Sequence, residues 1–559
     1  MTKSNLFLIF ILLGFNLPGF AKVYVSPLFG DHLVLQQKSA PAIWGRADPG
    51  EMVTVSGSWD DMSLVTYADS KGKWRINLIT PEAGGPYTLK IASSNVIEIK
   101  DVLIGEVWLA SGQSNMAWRL RQSEHAEEEI PQANHENIRL FQVAQEVSST
   151  PRLEAKGEWK VCSSESAREF SAVAYYFAKE LQKELNVPIG IIQSTWGGTP
   201  SEAWTSRKAL EAHPSFQGLL DRFDDELREH RNDPSSPDPI HSKNPTTLYN
   251  AMIAPLIPYD IQGVIWYQGE SNTYDPWLYR NLFPALIYNW RHDWNKLLSF
   301  YFVQIAPFNY GQTPSGTGIR EAQLMSLEVP NSGMAVTMDI GNPQDIHPRN
   351  KRDVGKRLAL WALANDYQQK DLVYSGPLYK KMEVEGDNIR LYFDHVGSGL
   401  VAKGGELTHF QIAGTDQQFV EARAMIEDST IVVSGEGVSE PKAVRYGFGN
   451  TDMPNLFNKE GLPASSFRTD DWPVFYTQPQ IVPTYNRGRD EFLVQINYSE
   501  VSEQTIYYTL DGTTPEKGAK VYNGPFIVKG SAQITARTFS GETGSPYRTS
   551  REVKKHPGL

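Results

Sequence analysis

From Lys22 to about residue 100, apolar and polar positions alternate in short segments, HLVLQQ, MVTVSGSW, KWRINLIT and YTLKIASS, punctuated by Gly, Pro and Asp. A period of two fits strands with one buried face, so residues 22–100 are predicted to form a small antiparallel β-domain. From 101 the pattern changes. Five largely apolar runs, VLIGEVWLA, PIGIIQS, IQGVIWYQ, FYFVQIAP and MAVTMDI, are separated by amphipathic stretches such as ESAREFSAVAYYFAKELQKELN and LYRNLFPALIYNWRHDW. Runs that are apolar on both alternating sets of positions belong to strands covered on both faces. Residues 101–370 therefore read as an α/β unit, a parallel sheet with helices on both sides. A last helix is predicted over roughly 348–367, opening at Pro348, since proline suits a helix start. Alternation returns in MEVEGDNIRLYF and TIVVSG, which predicts a β-rich segment over 371–474 packing back on the core. Residues 475–559 form a further β unit, with TIYYTLDGTTP and AQITARTFS as its clearest strands.

Composition adds three constraints. At 559 residues, with 40% apolar and 11% aromatic content, the chain fills more than one core. The net charge of −12 is spread without long single-sign runs, which argues against a nucleic-acid surface and fits a neutral or sugar-like ligand. Residues 1–21 place Lys3 before an apolar segment that ends on Gly19-Phe20-Ala21, the form of a cleaved secretory signal and too short for a membrane span. No later segment is long enough to span a bilayer, and Cys162, the only cysteine, rules out an intramolecular disulfide. The expectation is an exported, soluble bacterial protein, periplasmic or secreted.

In doubly wound sheets ligands bind at the carboxyl ends of the strands. The unusual polar clusters fall there: Gln113-Ser114-Asn115 after the first run, STWGGTPSEAW (194–204) after the second, QGESN (268–272) after the third and DIGNPQDIHP (339–348) after the fifth. A serine hydroxyl is a poor nucleophile until a base takes its proton, and the base needs a third group to fix its tautomer. Ser114, His347 and Asp345 supply that set. Donors for a tetrahedral oxyanion are the backbone N–H of Ser114 or Asn115, the N–H of Gly198 and the Gln268 amide. Taken singly, each has an ordinary reading: a helix-capping serine, a surface histidine, a tight glycine turn, a solvated carboxylate. Their coincidence at successive strand ends carries the case.

The blocks GEVWLASGQSNM, STWGGTPSEAW, NAMIAPLIPYDIQGVIWYQGESN and DIGNPQDIHPRNKRDVGKRLA resemble those of sialate O-acetylesterase-type SGNH hydrolases, and FNKEGLPASSFRTDDW (457–472) extends the resemblance across roughly 22–472. It implies a flavodoxin-like, three-layer αβα hydrolase core with flanking all-β domains. It also implies Ser114 as nucleophile, His347 as general base, and Ser114, Gly198 and Gln268 around the oxyanion. The wider SGNH pattern has its acid three residues before the histidine, where this chain has Gln344. The sialate-type branch reads DIHP, which points to Asp345; if Asp345 faces away, Ser114 and His347 act as a dyad. The tail resembles the C-terminal β-sandwich of chitobiases and hexosaminidases, an accessory module.

The implied reaction is hydrolysis of an O-acetyl ester on a sugar, a 9-O-acetyl sialic acid by family, or acetylated xylan or another polysaccharide. Trp196, Trp204 and Tyr274 could stack on the sugar, and Gln113, Asn115, Glu202, Glu270 and Arg320 are further candidates for substrate contacts. Two other classes compete: a glycoside hydrolase using Glu270 and Asp345, and a non-catalytic carbohydrate-binding protein. No cofactor is implied, and the histidines lack H-x-x-x-H or H-x-H spacing for a metal.

Overall fold

The computed structural model describes residues 22–311, 315–472, 479–486, 489, 491–497, 504–540 and 543–554; the signal segment 1–21 lies outside them. The core sheet is built from β1 (Val96–Gly112), β2 (His135–Gln142), β3 (Trp159–Cys162), β4 (Ile189–Thr195), β5 (Gly263–Tyr267), β6 (Ser299–Val303) and β7 (Ser332–Ala335). Its order is β3-β2-β4-β1-β5-β6-β7. All neighbours run parallel except the edge pair β2 and β3. The five apolar runs become β1, β4, β5, β6 and β7. The two remaining strands carry too many polar residues, HENIRLFQ and WKVC, to stand out as buried runs.

Side chains of successive strand residues point to opposite faces, and both faces here are apolar. Trp266, Phe300 and Phe302 join one core, with Phe283 and Trp290 of the helix Pro276–Trp294; Trp108, Ile265 and Tyr301 join the other, with Phe177 and Trp361 of the helices Ala172–Leu185 and Lys351–Asn365. We label the helices used below α1 (Ser114–Ala117), α2 (Ala172–Leu185), α3 (Pro276–Trp294), α4 (Ser315–Met325) and α5 (Lys351–Asn365). Their starts follow capping chemistry. Ser171 Oγ accepts from Ala174 N at 3.2 Å and Asp275 Oδ1 from Leu278 N at 2.9 Å, with Pro276 at the first helical position of α3. For α5 the cap is Asn350, whose Oδ1 accepts from Asp353 N at 3.1 Å. The helix therefore starts at Lys351, three residues after the expected Pro348, because the asparagine side chain supplies the acceptor.

Part of the N-terminal region shares a strand with the core sheet. β1 runs unbroken through residue 100, pairing first with Gly84–Ala92 and Val34–Gln36 and then with β4 and β5. After α5, two four-stranded sheets enclose an apolar core that includes Ile389, Phe410, Ile431, Tyr446 and Phe467. The tail has a three-stranded and a four-stranded sheet around Val494, Ile496, Ile506, Ile534 and Ala536. Among the described residues no helix is long and apolar enough to cross a membrane.

Candidate active site

Three strand ends meet in register: Gly112 of β1 lies beside Thr195 of β4 and Tyr267 of β5. Gly112 has φ +134°, and a Cβ there would come within 2.2 Å of the Tyr267 carbonyl oxygen, so only glycine lets the chain turn this tightly. The turn delivers Ser114 to the first position of α1. Its hydroxyl and His347 Nε2 are hydrogen-bonded at 2.9 Å, within the range over which a neutral imidazole can take a hydroxyl proton. Both side chains are half-buried, and His347 lies flat on Trp118, with ring centroids 5.0 Å apart and planes 18° apart. Trp118 was not among the expected site residues. Its only sequence signal is an aromatic four positions after the serine, and the sequence does not show which ring would face it.

Asp345 stands differently from the triad expectation. Its Oδ1 accepts from the backbone N–H of His347 at 2.9 Å and lies 3.9 Å from Nδ1, beyond hydrogen-bonding range. It shapes the loop that carries the imidazole.

Behind the serine lies a buried charged group. Asn115 Nδ2 donates to Glu270 Oε1 at 2.6 Å and to the Ile346 carbonyl at 3.0 Å, while its Oδ1 accepts from Lys351 Nζ at 2.5 Å. Burial, partly offset by Glu270 and Asp345, brings the Lys351 ammonium down to about 7. Burial pushes the Glu270 carboxyl up, against the Asn115 hydrogen bond and the Lys351 charge. Burial and the Lys351 charge hold the His347 imidazole below its ordinary value, with Asp345 opposing. A lowered value keeps more of the imidazole in the neutral, proton-accepting form.

The loop after β4 folds over the serine. A Cβ on Gly197 would lie 3.3 Å from Ser114 Cβ, and Gly198, at φ +71°, has open space on its Cβ side. Within the described residues neither the Ser114 nor the Gly198 amide N–H donates a hydrogen bond. Gln268 departs from the expectation for an oxyanion donor. It is fully buried, and its Nε2 donates to the Thr199 carbonyl at 3.3 Å and to Asn272 Oδ1 at 2.6 Å, so the amide braces the glycine loop from behind.

The expected substrate contacts separate in the same way. Trp196 is half-buried at the rim, and Tyr274 is exposed with its hydroxyl donating to Glu202 Oε1 at 2.6 Å. Trp204 is a core residue, edge-on to Trp266 and donating to Thr199 Oγ1 at 2.9 Å. Glu202 is buried, holding Asn272 at 3.0 Å as well as Tyr274. Gln113 is buried and accepts from Ser271 N at 3.2 Å, tying the β1 and β5 ends together. Arg320 is fully buried on α4, donating to the Gly449 carbonyl at 2.6 Å and Thr317 Oγ1 at 3.1 Å, and burial lowers it to about 10. Glu270, bound to Asn115, is turned into the protein rather than across an open cleft toward Asp345, which removes the basis for a two-carboxylate glycosidase.

A serine hydroxyl bonded to an imidazole at the carboxyl ends of a doubly wound sheet is the arrangement of a serine acyl hydrolase. Comparisons with known proteins agree. Residues 104–364 match the family model described as carbohydrate esterase, sialic acid-specific acetylesterase, and residues 494–551 match one described as Fn3 associated. The chain is 33% identical to the sialate O-acetylesterase of Rattus norvegicus over 415 residues, covering 64% of this chain and 76% of the relative. It is 33% identical to that of Homo sapiens over 395 residues, covering 63% and 72%. A solved carbohydrate acetylesterase from Xanthomonas citri aligns with TM-score 0.72 at 39% identity, over 81% of this chain and all of that one. The chain belongs to the sialate O-acetylesterase family of carbohydrate esterases, and its activity is carbohydrate O-acetyl ester hydrolysis.

Proposed function

We propose that Ser114 is the nucleophile and His347 the general base in removal of an O-acetyl group from sialic acid. The observation that carries this reading is the 2.9 Å hydrogen bond between the Ser114 hydroxyl and His347 Nε2. As Ser114 Oγ attacks the acetyl carbonyl, Nε2 takes its proton. The amides of Ser114 and Gly198 receive the developing oxyanion, each worth on the order of 3 kcal/mol in such a hole. Collapse breaks the bond to the sugar oxygen, which leaves with the proton from His347. Water then gives its proton to His347 and attacks the acetyl-enzyme, and acetate departs with Ser114 restored. Acetyl is small, so selectivity comes from the sugar side, where Trp196, in the loop over the serine and bonded through its backbone N–H to the Gly112 carbonyl, is the nearest aromatic candidate.

The sialic acid substrate is supported by the family match and the mammalian relatives. A second reading is deacetylation of xylan or another polysaccharide, a substrate an accessory β-rich tail with its own two sheets and core could hold. Acetate release from O-acetyl sialic acid, acetylated xylan and acetylated mannan decides between them. Turnover at least about tenfold faster on the sialic acid supports the first reading, and the reverse preference replaces it with the second. The N-terminal signal pattern supports an exported enzyme, periplasmic or secreted; fractionation that finds the full-length chain with uncleaved residues 1–21 in the cytoplasm would overturn this.

A further inference from the structure

The serine and histidine chemistry leaves one charged group without a role. Lys351, the first residue of α5, is 1% exposed. A buried ammonium is costly unless something compensates it. Among the described residues Lys351 has no direct carboxylate partner. Its hydrogen bond goes to Asn115 Oδ1, and the rings of Tyr267 and Trp118 lie 5.3 and 5.8 Å from Nζ, within cation–π range. The other end of the same amide faces the Glu270 carboxylate. Only one orientation of Asn115 suits both neighbours, oxygen toward the cation and nitrogen toward the anion. Reversed, the amide would set its N–H groups against an ammonium and its oxygen against a carboxylate. With the orientation fixed, a second N–H reaches the carbonyl of Ile346, the residue before His347. Asn115 itself follows Ser114, so the two reacting side chains are joined through one amide.

We propose that Lys351 is a positioning residue: with Glu270 it locks the Asn115 amide, which pins the Ser114 turn to the His347 loop and keeps hydroxyl and imidazole in register. This rests on Ser114 and His347 being the reacting pair. The ammonium has a second effect that a merely structural residue would lack, since a cation beside the imidazole opposes its protonation. The other ionisable groups facing this network are Glu270 after β5, Tyr267 on β5, Asp345 and His347 in the loop before α5, and Tyr310 after β6.

The test compares wild type, Lys351→Met, Lys351→Arg and Glu270→Gln on a soluble acetyl ester from pH 5 to 9, with labelling of Ser114 by a serine-directed phosphonate. Lys351→Met should lower kcat about 100-fold, the scale of a small misalignment of reacting groups, with KM within about twofold. Its acid limb of kcat/KM should move to higher pH by at least about half a unit, because the cation that kept His347 neutral is gone. Lys351→Arg, which keeps the charge, should return that limb to its wild-type position. Glu270→Gln, nearly isosteric, should lower kcat about tenfold at unchanged KM and decides the matter if Lys351→Met does not fold. Folded variants with kcat within threefold of wild type and an unmoved acid limb would overturn the positioning role. Wild-type protein that phosphonate inactivates without labelling Ser114 would instead overturn the reading on which it rests.

Discussion

The two ends of the core sheet treat buried carboxylates differently. At the amino end, Glu106 accepts from Gln36, Gln37 and Tyr367 at 3.0, 2.6 and 2.9 Å, and Asp366 accepts from Ser299, Tyr301 and Gln262 at 2.5, 2.6 and 3.0 Å. At the carboxyl end Glu270 has a hydrogen bond on one oxygen only, and the Glu270 Oε2, Ser201 Oγ and Trp118 Nε1 atoms are buried with no partner among the described residues. Three donors around a carboxylate satisfy it and make it part of the scaffold. Glu270, with one donor, is joined through the Asn115 amide to Lys351, next to the residue that carries the nucleophile. Glu106 and Asp366 thus brace the scaffold at the amino end, as Glu202 does at the carboxyl end, while Glu270 is tied into the network behind Ser114.

Substitutions at the two ends should separate these roles. Ser114→Ala should lower kcat on a soluble acetyl ester by about four orders of magnitude or more at an unchanged melting temperature; near-normal turnover would remove the nucleophile from the carboxyl end. Asp345→Asn should cost under about tenfold, roughly 1.4 kcal/mol of transition-state stabilisation. An asparagine oxygen can still accept the His347 backbone N–H, which is the bond Asp345 makes. A loss of a thousandfold would show instead that the carboxylate reaches Nδ1 during attack and completes a triad. Asp366→Asn should do the opposite of Ser114→Ala. It should reduce stability by about 1–3 kcal/mol, the cost of leaving a buried donor unmatched, with kcat within threefold, as read by urea unfolding and by kinetics. The smallest effect is expected from ending the chain at residue 472. A small ester should be cleaved within about twofold of the full-length rate, since the site residues all precede 352; a larger loss in a folded truncation would bring the tail into the site.

Much of this was legible in the sequence because the core strands are apolar at successive positions and their polar ends are abrupt. Ser114 and His347 could be paired from strand order alone, since a doubly wound sheet brings its carboxyl ends together. Other residues were not legible, each for a physical reason. Trp204 and Glu202 sit in the same motif as Gly198, yet a single turn of 3-10 helix, Ser201–Trp204, points them into the core. Lys351 lies in the charged stretch RNKRDVGK, which reads as a solvated helix start. Its burial depends on Trp118 and Tyr267, far away in sequence. Gln268 was assigned to the correct strand end, but which way an amide faces is decided by its neighbours Thr199, Asn272 and Tyr279.

The continuity of Val96–Gly112 has a consequence for how this enzyme can be taken apart. The strand that ends at the nucleophile turn begins in the N-terminal β-layer, where Leu103 lies beside Val34 and Val102 beside Tyr87. Removing residues 22–95 would strip hydrogen-bonded neighbours from residues 96–105 of the strand that ends at Gly112, exposing an edge along its first half. The N-terminal layer is in this sense a foundation rather than an attachment. A chimaera that exchanges modules around this hydrolase can be cut after residue 472, whereas a cut near residue 100 severs the beam on which Ser114 is mounted.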